Sequence, residues 1–208
     1  MNVSAALELA TEEFKKTDLT NISPKSGAVL IPEGIQIDYL SRRYSIRLPD
    51  VEWKEEASPQ EKLVILHYLL NSKGTLPSDN PIDFREIPGG NLYYPVFEAR
   101  VHHPFLKYFG ENPALLLKAS LPLKGKKGGF GDSSVNIPVF PHISTVFIIY
   151  QGDEEFPPAT KVLFDSNISD YLSAEDIVAV CEDVVRKLNL TAKAKGDSPP
   201  ESKRGLSP

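Results

Sequence analysis

The sequence contains one cysteine, Cys181, and this scarcity excludes several kinds of site. A single thiol cannot form an internal disulfide, a cysteine cage for zinc, or the ligand set of a cysteine-held iron–sulfur cluster. Such cysteine usage is typical of a reducing compartment, so we expect a cytoplasmic protein. Cys181 falls on the apolar face of an amphipathic pattern, where a thiol is buried and inert.

Long apolar runs and a basic excess are also missing. No stretch reaches the roughly 18 consecutive apolar residues that cross a bilayer. Glu8, Glu12 and Glu13 stand where an export signal has its apolar core, so we expect no signal peptide. The formal net charge is −5, whereas nucleic acid and anionic membranes attract a net basic face. We therefore expect neither nucleic-acid nor membrane partners.

The motifs that would fix a reaction are absent as well. The glycine-rich segment Lys124–Asp132 lacks the Gly-Lys-Ser/Thr ending of a Walker loop and the GxGxxG order of a dinucleotide site. The chain has no Gly-x-Ser-x-Gly elbow and no HxxxH pair that would place two metal ligands on one helix face. The sequence leaves open whether the protein is an enzyme, and it identifies no cofactor and no metal site.

A chain of 208 residues suits one domain, because two would each be short of core. We predict a single α+β domain over residues 1–190, with a mostly antiparallel sheet covered by helices on one face. Residues 191–208 contain no aromatic residue and one large aliphatic residue, Leu206. This composition predicts a disordered C-terminal tail.

Three helices stand out in the pattern. Apolar spacing predicts one over residues 3–16, a Ser58/Glu61 capping box starts the second, and the third begins near Ser173. Residues 23–27 have the composition of a turn. Prolines at positions 95, 104 and 113 predict a chain of short helical turns over residues 93–119.

Alternating or continuous apolar residues predict the strands. We expect a short strand over residues 28–31, a hairpin over residues 35–48, and two further strands over residues 144–150 and 161–165.

An acidic loop, Asp153-Glu154-Glu155, connects the last two predicted strands, and Asp165 ends the second of them. Clustered carboxylates suit a hard cation such as Mg²⁺ or Ca²⁺, and paired carboxylates can serve acid–base chemistry. A polar turn between strands can equally be a solvated connection with no ligand.

A basic glycine-rich loop precedes these strands and contains Lys126, Lys127, Gly128 and Gly129, followed by Asp132. Successive backbone N–H groups in such loops can bind an anion, and the alternative is a flexible surface loop. If both loops lie at one end of the sheet, we expect them to form two walls of one site.

The histidines give weaker signals. His67 lies beside the apolar face of its predicted helix, where a histidine with a satisfied partner is the usual finding. His102 and His103 are adjacent and point about 100° apart on a helix, which is poor geometry for one metal. One of them could join His142 across the fold, or both can have ordinary surface roles.

Several short motifs together resemble an uncharacterised prokaryotic domain-of-unknown-function family over Glu86 to Leu190. They are GGFGDSS (Gly128–Ser134), PVFPHIS (Pro138–Ser144), GDEEFPPA (Gly152–Ala159), VLFD (Val162–Asp165) and YLSAED (Tyr171–Asp176). The resemblance implies fusions to iron–sulfur domains in some members and an association with corrinoid or one-carbon metabolism. This chain has no cysteine cluster, so an iron–sulfur role would belong to a separate partner. The resemblance implies no catalytic residue.

Three functions are therefore expected in order. The first is a non-catalytic binding or accessory protein, with a protein partner or a small anionic ligand, that serves a redox or corrinoid-linked enzyme. The second is a cation-dependent enzyme that uses the acidic-loop carboxylates with Asp132 and Asp165. The third is a purely structural protein-interaction module.

Overall fold

The computed structural model describes residues 3–194. Its strands form two antiparallel sheets. The first sheet has the order β1-β2-β3-β4 and the second has the order β5-β9-β8-β7-β6. The strands are β1 Val29–Ile31, β2 Gly34–Tyr39, β3 Arg42–Arg47, β4 Glu52–Trp53, β5 Pro81–Asp83, β6 Lys126–Lys127, β7 Ser133–Phe140, β8 Ile143–Tyr150 and β9 Ala159–Asp165.

Helices supply the rest of the regular structure. They are α1 Val3–Phe14, α2 Leu19–Ser26, α3 Pro59–Asn71, α4 Gly90–Phe97, α5 His103–Phe109, α6 Leu115–Ser120 and α7 Ala174–Ala194. A π-helical turn, Glu98–His102, joins α4 to α5, and short 3₁₀ turns span Phe84–Glu86, Leu121–Leu123 and Ser166–Asp170. No helix within residues 3–194 is long and apolar enough to span a membrane.

One aromatic stack shows how helices and sheet share a core. The Tyr68 ring on α3 lies 3.9 Å from the Phe140 ring of β7 and 5.2 Å from the Tyr171 ring. All three side chains are buried, and the Tyr68 hydroxyl donates to the Ser26 carbonyl. The structure is therefore a single α+β domain with antiparallel sheets, as the sequence predicts, although the strands divide between two sheets.

The β2–β3 hairpin joins the two sheets at its tip. Leu40 and Ser41 form the two-residue turn with φ of 46° and 67°, in the left-handed region that favours glycine. Leu40 is buried, and its N–H donates to the Val139 carbonyl at 3.0 Å. Tertiary contacts therefore hold a turn that its residues do not favour, and they place the neighbouring Tyr39 beside α7.

The two helices predicted from capping residues, α3 and α7, are confirmed. Ser58 and Glu61 exchange the two hydrogen bonds of a capping box at α3, at 3.2 and 2.9 Å. Ser173 caps α7 through Asp176 in the same way. Helix α7 continues through Ala194, so the first four residues of the predicted tail are helical, and residues 195–208 lie outside the described residues.

One prediction from proline was wrong, and another was right only in part, since short helical segments do follow one another over residues 93–119. Residues 23–27, predicted as a turn, largely belong to α2, which Asp18 caps by accepting from the Thr20 N–H at 2.9 Å. Pro95 and Pro104 do not divide residues 90–109 into separate turns. The π turn allows the His103 N–H to donate to the Glu98 carbonyl, so the helical path continues to Pro104, which has no N–H.

Candidate functional site

A cleft of about 670 Å³ opens between α3, α7 and the segment made of the π turn and α5. This volume lies in the range of roughly 300–1,000 Å³ that small-molecule sites usually have. Tyr39, from the end of β2, also contributes to its wall. We call this cavity the α7 cleft, because one face of α7 supplies much of its lining.

Helix α7 presents opposite faces to the core and to the cleft. Its apolar stripe is buried, as predicted, and consists of Ile177, Val180, Cys181, Val184 and Leu188. The cleft stripe recurs at three- and four-residue spacing and consists of Ala179, Glu182, Asp183, Arg186, Asn189, Leu190 and Lys193. The same periodicity that anchors the helix therefore directs its polar side chains into the cavity.

Tyr39 and Asp183 form the most buried polar contact of the cleft. The Tyr39 hydroxyl donates to Asp183 Oδ2 at 3.1 Å, and Arg186 and Lys187 approach the same carboxylate from α7. Burial raises the pKa of Tyr39 well above its ordinary value, and the charge of Asp183 adds to that shift. Tyr39 is therefore a permanent donor that fixes the Asp183 carboxylate.

Glu61 anchors the α3 side of the same network. Its Oε1 accepts from Lys187 Nζ at 3.3 Å and from the Tyr44 hydroxyl at 3.5 Å, while Oε2 accepts from the Ser58 N–H. Burial raises the pKa of Glu61, but the Ser58 hydrogen bonds and the Lys187 charge outweigh it, so the net shift is downward. The Glu61 carboxylate is therefore held ionised.

The π turn supplies the facing wall. Arg100 lies within this turn, lines the cleft and pairs with Glu182 of α7. A guanidinium has five N–H donors, so this ion pair leaves donors for another acceptor. On α5, the Tyr108 ring lies under Lys193 Nζ at 5.1 Å from the ring centroid. Single π turns inside helices frequently mark functional sites, and this one puts an arginine at the cleft.

Asn189, on the cleft stripe of α7, has a buried side-chain oxygen without a hydrogen-bond partner among the described residues. The residue is 9% exposed, and its Oδ1 has no hydrogen-bond partner within residues 3–194. A buried acceptor without a partner costs roughly 1–3 kcal/mol, so natural structures usually give such groups a role. Ser41, Thr145 and Asn167 also have a buried side-chain oxygen without a partner within residues 3–194, so this feature is not specific to the α7 cleft.

The acidic and glycine-rich loops predicted as a site do lie at the same end of the second sheet. β7 begins at Ser133, opposite Ile149 near the end of β8, and β9 begins at Ala159, opposite Tyr150. The carboxylate of Asp132 accepts from the Gln151 N–H at 2.8 Å and so ties one loop to the other. The two predicted walls therefore meet.

Two shallow grooves run across that end. Lys127 and Asp132 line one groove of about 510 Å³, and Asp153 lines another of about 450 Å³. Glu111 and Gln151 line both, so the two grooves adjoin each other. Of the predicted site residues, Lys127, Asp132 and Asp153 line these grooves, and the others do not.

Most predicted groups there already have local partners. Asp153 Oδ1 accepts from the Glu155 and Phe156 N–H groups at 2.9 and 2.7 Å, and these backbone bonds lower the Asp153 pKa. Glu154 and Glu155 are exposed to solvent. Among residues 3–194, no group of three or more histidine, cysteine, aspartate or glutamate side chains is arranged to hold a metal ion.

N–H groups of the glycine-rich loop also donate to partners within the protein. The Gly128 N–H donates to the Ser134 carbonyl at 2.8 Å, and the Phe130 N–H donates to the Ser134 hydroxyl at 3.0 Å. Lys126 and Lys127 form the short edge strand β6, and Gly129 lies in open space. Because its amides are used inside the protein, this loop is a weaker anion nest than its composition indicates.

Asp165 lies elsewhere. It ends β9, at the end of the sheet opposite the acidic loop, and it accepts from the N–H groups of Ser78 and Asn167 at 3.0 Å each. These bonds cap the 3₁₀ turn that follows and hold the segment around Ser78. The structure does not bring Asp165 together with the other predicted ligands.

The histidines are separated as well. His67 Nδ1 lies 2.7 Å from Asp176 Oδ1, which confirms the expected satisfied partner. His102 is partly buried in the π turn and contacts the Thr160 hydroxyl at 2.9 Å, while His142 accepts from the Asn167 amide through its carbonyl. Each therefore has a different structural neighbour.

The α7 cleft was missed by reasoning from sequence. Its one sequence signal is the polar stripe on α7 at three- and four-residue spacing, which looks the same as an ordinary solvated helix face. The residues that make it a cavity, Tyr39 and Arg100, are 144 and 82 positions from their α7 partners, Asp183 and Glu182. Neither separation leaves a local motif.

A family model described as Domain of unknown function (DUF3786) matches residues 18–187. The chain belongs to the DUF3786 family. The match contains Tyr39, Glu61, Arg100 and Asp183, and it ends within α7 at Lys187. No curated protein and no solved structure matches the chain. The resemblance to a family of unknown function is thus confirmed, and iron–sulfur fusions and a corrinoid association stay predictions.

Proposed function

We propose that this DUF3786 protein binds a small organic molecule in the α7 cleft. The observation that carries the proposal is the lining of the cleft, where Arg100 and Arg186 each have guanidinium N–H donors beyond one ion pair, in a wall that also contains Val64 and Tyr108. A ligand with an anionic group and an apolar body finds partners for both parts in such a lining.

The lining indicates the chemistry of the ligand. Val64 and Leu190 offer apolar contact, and the Tyr108 ring offers an aromatic edge or face. Arg100 and Arg186 have guanidinium donors beyond their ion pairs, which suit a carboxylate or phosphate group. The ligand we propose has an apolar body and one anionic group.

Binding without turnover is the preferred form of this function. Tyr39 stays protonated, because burial raises its pKa, and Glu61 stays ionised, because its net pKa shift is downward. A general acid or base works best with a pKa near the working pH, which neither group has. These side chains are suited to orienting a ligand.

Native mass spectrometry tests the proposal. The purified protein is incubated with a bacterial small-molecule extract, and bound masses are compared between wild type and two variants. Leu190→Trp fills the mouth of the cleft, where Leu190 is 56% exposed, and Leu9→Trp places the same ring on α1, where Leu9 is 74% exposed.

We expect the wild type and Leu9→Trp to retain a bound small molecule and Leu190→Trp to lose it. The proposal fails if no protein retains a ligand, or if Leu190→Trp retains it as well as the control does. Circular dichroism checks that both variants fold.

We also propose that the protein is an accessory to a redox or corrinoid-linked enzyme, on the support of the family resemblance alone. The alternative of a cation-dependent enzyme at the acidic loop has weaker support, because Asp165 lies at the other end of the sheet. Equilibrium dialysis against Mg²⁺, Mn²⁺ and Ca²⁺ distinguishes the accessory protein from the cation-dependent enzyme. The enzyme requires cation binding that the double substitution Asp153→Ala with Glu154→Ala removes.

A further inference from the structure

Exposed aromatic side chains gather at one end of the second sheet. Among the large hydrophobic side chains exposed in residues 3–194, the aromatic ones are Phe130, Tyr150 and Phe156, at 44%, 40% and 68% exposure. Phe130 precedes the start of β7, Tyr150 ends β8, and Phe156 lies in the acidic loop between β8 and β9. Aromatic rings exposed together are unusual on a surface that has no partner.

The loop that carries Phe156 has a fixed shape. The Asp153 N–H donates to the Phe156 carbonyl at 2.9 Å, and the Asp153 carboxylate accepts from the Phe156 N–H at 2.7 Å. These reciprocal bonds close the loop, and the Phe156 side chain on it is 68% exposed. A side chain displayed on a rigid loop loses less conformational entropy on binding.

The charges around these rings have one predominant sign. Asp132, Asp153, Glu154 and Glu155 are exposed on the two loops, and Glu111 lines both grooves between them. Lys127 is the basic residue in the lining of one of these grooves. We define the loop-end surface as Phe130–Asp132, Tyr150–Pro158 and Glu111.

We propose that the loop-end surface docks a basic segment of a protein partner, which packs a large apolar side chain against Phe156. Complementary charge steers association and excludes acidic partners. A buried aromatic side chain at the centre of an interface supplies much of its affinity, inside a rim of polar groups. The loop-end surface contains an exposed aromatic side chain, Phe156, and several exposed carboxylates.

This interface would be separate from the α7 cleft and linked to it by one helix. Tyr108, on α5, lines the cleft, while Glu111, just after α5, lines both loop-end grooves. The protein could therefore hold a ligand in one place while a partner occupies the other. The docking proposal does not depend on the ligand proposal.

Selection from a phage-displayed library of random-sequence peptides tests the docking proposal with a defined probe. Wild-type protein is the bait, and enriched peptides are synthesised and measured by fluorescence anisotropy. We expect enrichment of peptides that combine several Lys or Arg residues with one large apolar residue, and we expect their affinity to fall as salt rises.

The matched variants are Phe156→Ala and Leu92→Ala, since Leu92 is an exposed leucine on α4 at 81% exposure. We expect Phe156→Ala and the double charge reversal Glu154→Lys with Glu155→Lys each to weaken binding about tenfold or more, and Leu92→Ala to leave it unchanged. The proposal is overturned if no peptide is enriched, if the enriched peptides lack basic residues, or if Phe156→Ala binds them as wild type does.

Discussion

The α7 cleft and the loop-end surface are both rich in charge, but their charges are used differently. In the cleft, Tyr39, Glu61 and Asp183 are bonded to side chains that are distant in sequence. At the loop end, Asp153 is bonded to the backbone of its own loop, and Glu154 and Glu155 face solvent. The first arrangement ties the walls of a cleft together, and the second leaves carboxylates exposed on a surface.

The comparison also separates the energetic roles of the two regions. Hydrogen bonds to half-buried charged groups contribute roughly 1.5–3 kcal/mol, whereas exposed charges contribute little. The cleft network ties α3 and α7 to β2 and therefore supports the fold while it shapes the site. The loop end can change in sequence with little effect on folding.

The largest difference should appear when one carboxylate is removed from each region. We expect Asp183→Ala to lower the free energy of unfolding by about 1–3 kcal/mol, because the buried Tyr39 hydroxyl loses its acceptor. We expect Glu154→Ala to change it by less than about 0.5 kcal/mol. Urea denaturation of both variants measures the free energy of unfolding. Equal losses of stability in the two variants would contradict the difference between the regions.

A second comparison concerns Asn189, whose buried Oδ1 has no partner in the described chain. Because Asn189 also lines the α7 cleft, we expect Asn189→Leu to weaken ligand retention in native mass spectra, while the protein keeps its stability or gains up to about 1 kcal/mol. Asn136→Leu, at an exposed position of β7, serves as the control and should alter neither property. A large loss of stability in Asn189→Leu would assign the amide a structural role.

A pH series tests the ionised state of the cleft. The net pKa of Glu61 lies below its ordinary value of 4.5, so its charge stabilises the folded state at neutral pH. We expect wild type to be more stable than Glu61→Gln at neutral pH, and the gap to close as pH falls through the lowered pKa. A gap that widens on acidification would show that Glu61 is protonated in the cleft.

The smallest expected effect belongs to the loop end. We expect Phe156→Ala to change the free energy of unfolding by less than about 0.5 kcal/mol, because the ring is 68% exposed. Ligand retention in the α7 cleft should also be unchanged. Thermal unfolding measures the stability, and native mass spectrometry measures the ligand retention. A marked loss of stability or of ligand retention would mean that the two regions are not separate.

Local sequence rules predicted much of the fold. The Ser58/Glu61 box gave α3, the apolar stripe around Cys181 gave α7, and alternation gave the β2–β3 hairpin. The wrong turn at α2, and the uninterrupted helical path past Pro95 and Pro104, have one cause: proline lowers helix propensity without preventing a helix that caps, π turns and tertiary packing support.

The site was predictable only in part. The meeting of the acidic and glycine-rich loops follows from antiparallel strands, since the connection before β7 and the connection after β8 share one end of the sheet. The α7 cleft depends on how β2, α3 and the π turn pack around α7. Periodicity in one segment contains no information about that packing.

Hydrogen–deuterium exchange with and without a bacterial small-molecule extract tests the central claim most directly. If the α7 cleft binds a ligand, amides in residues 58–66, 98–108 and 179–193 become more protected, while those in residues 126–134 and 150–159 exchange as before. Protection confined to the two loops, with the cleft segments unchanged, would contradict the account.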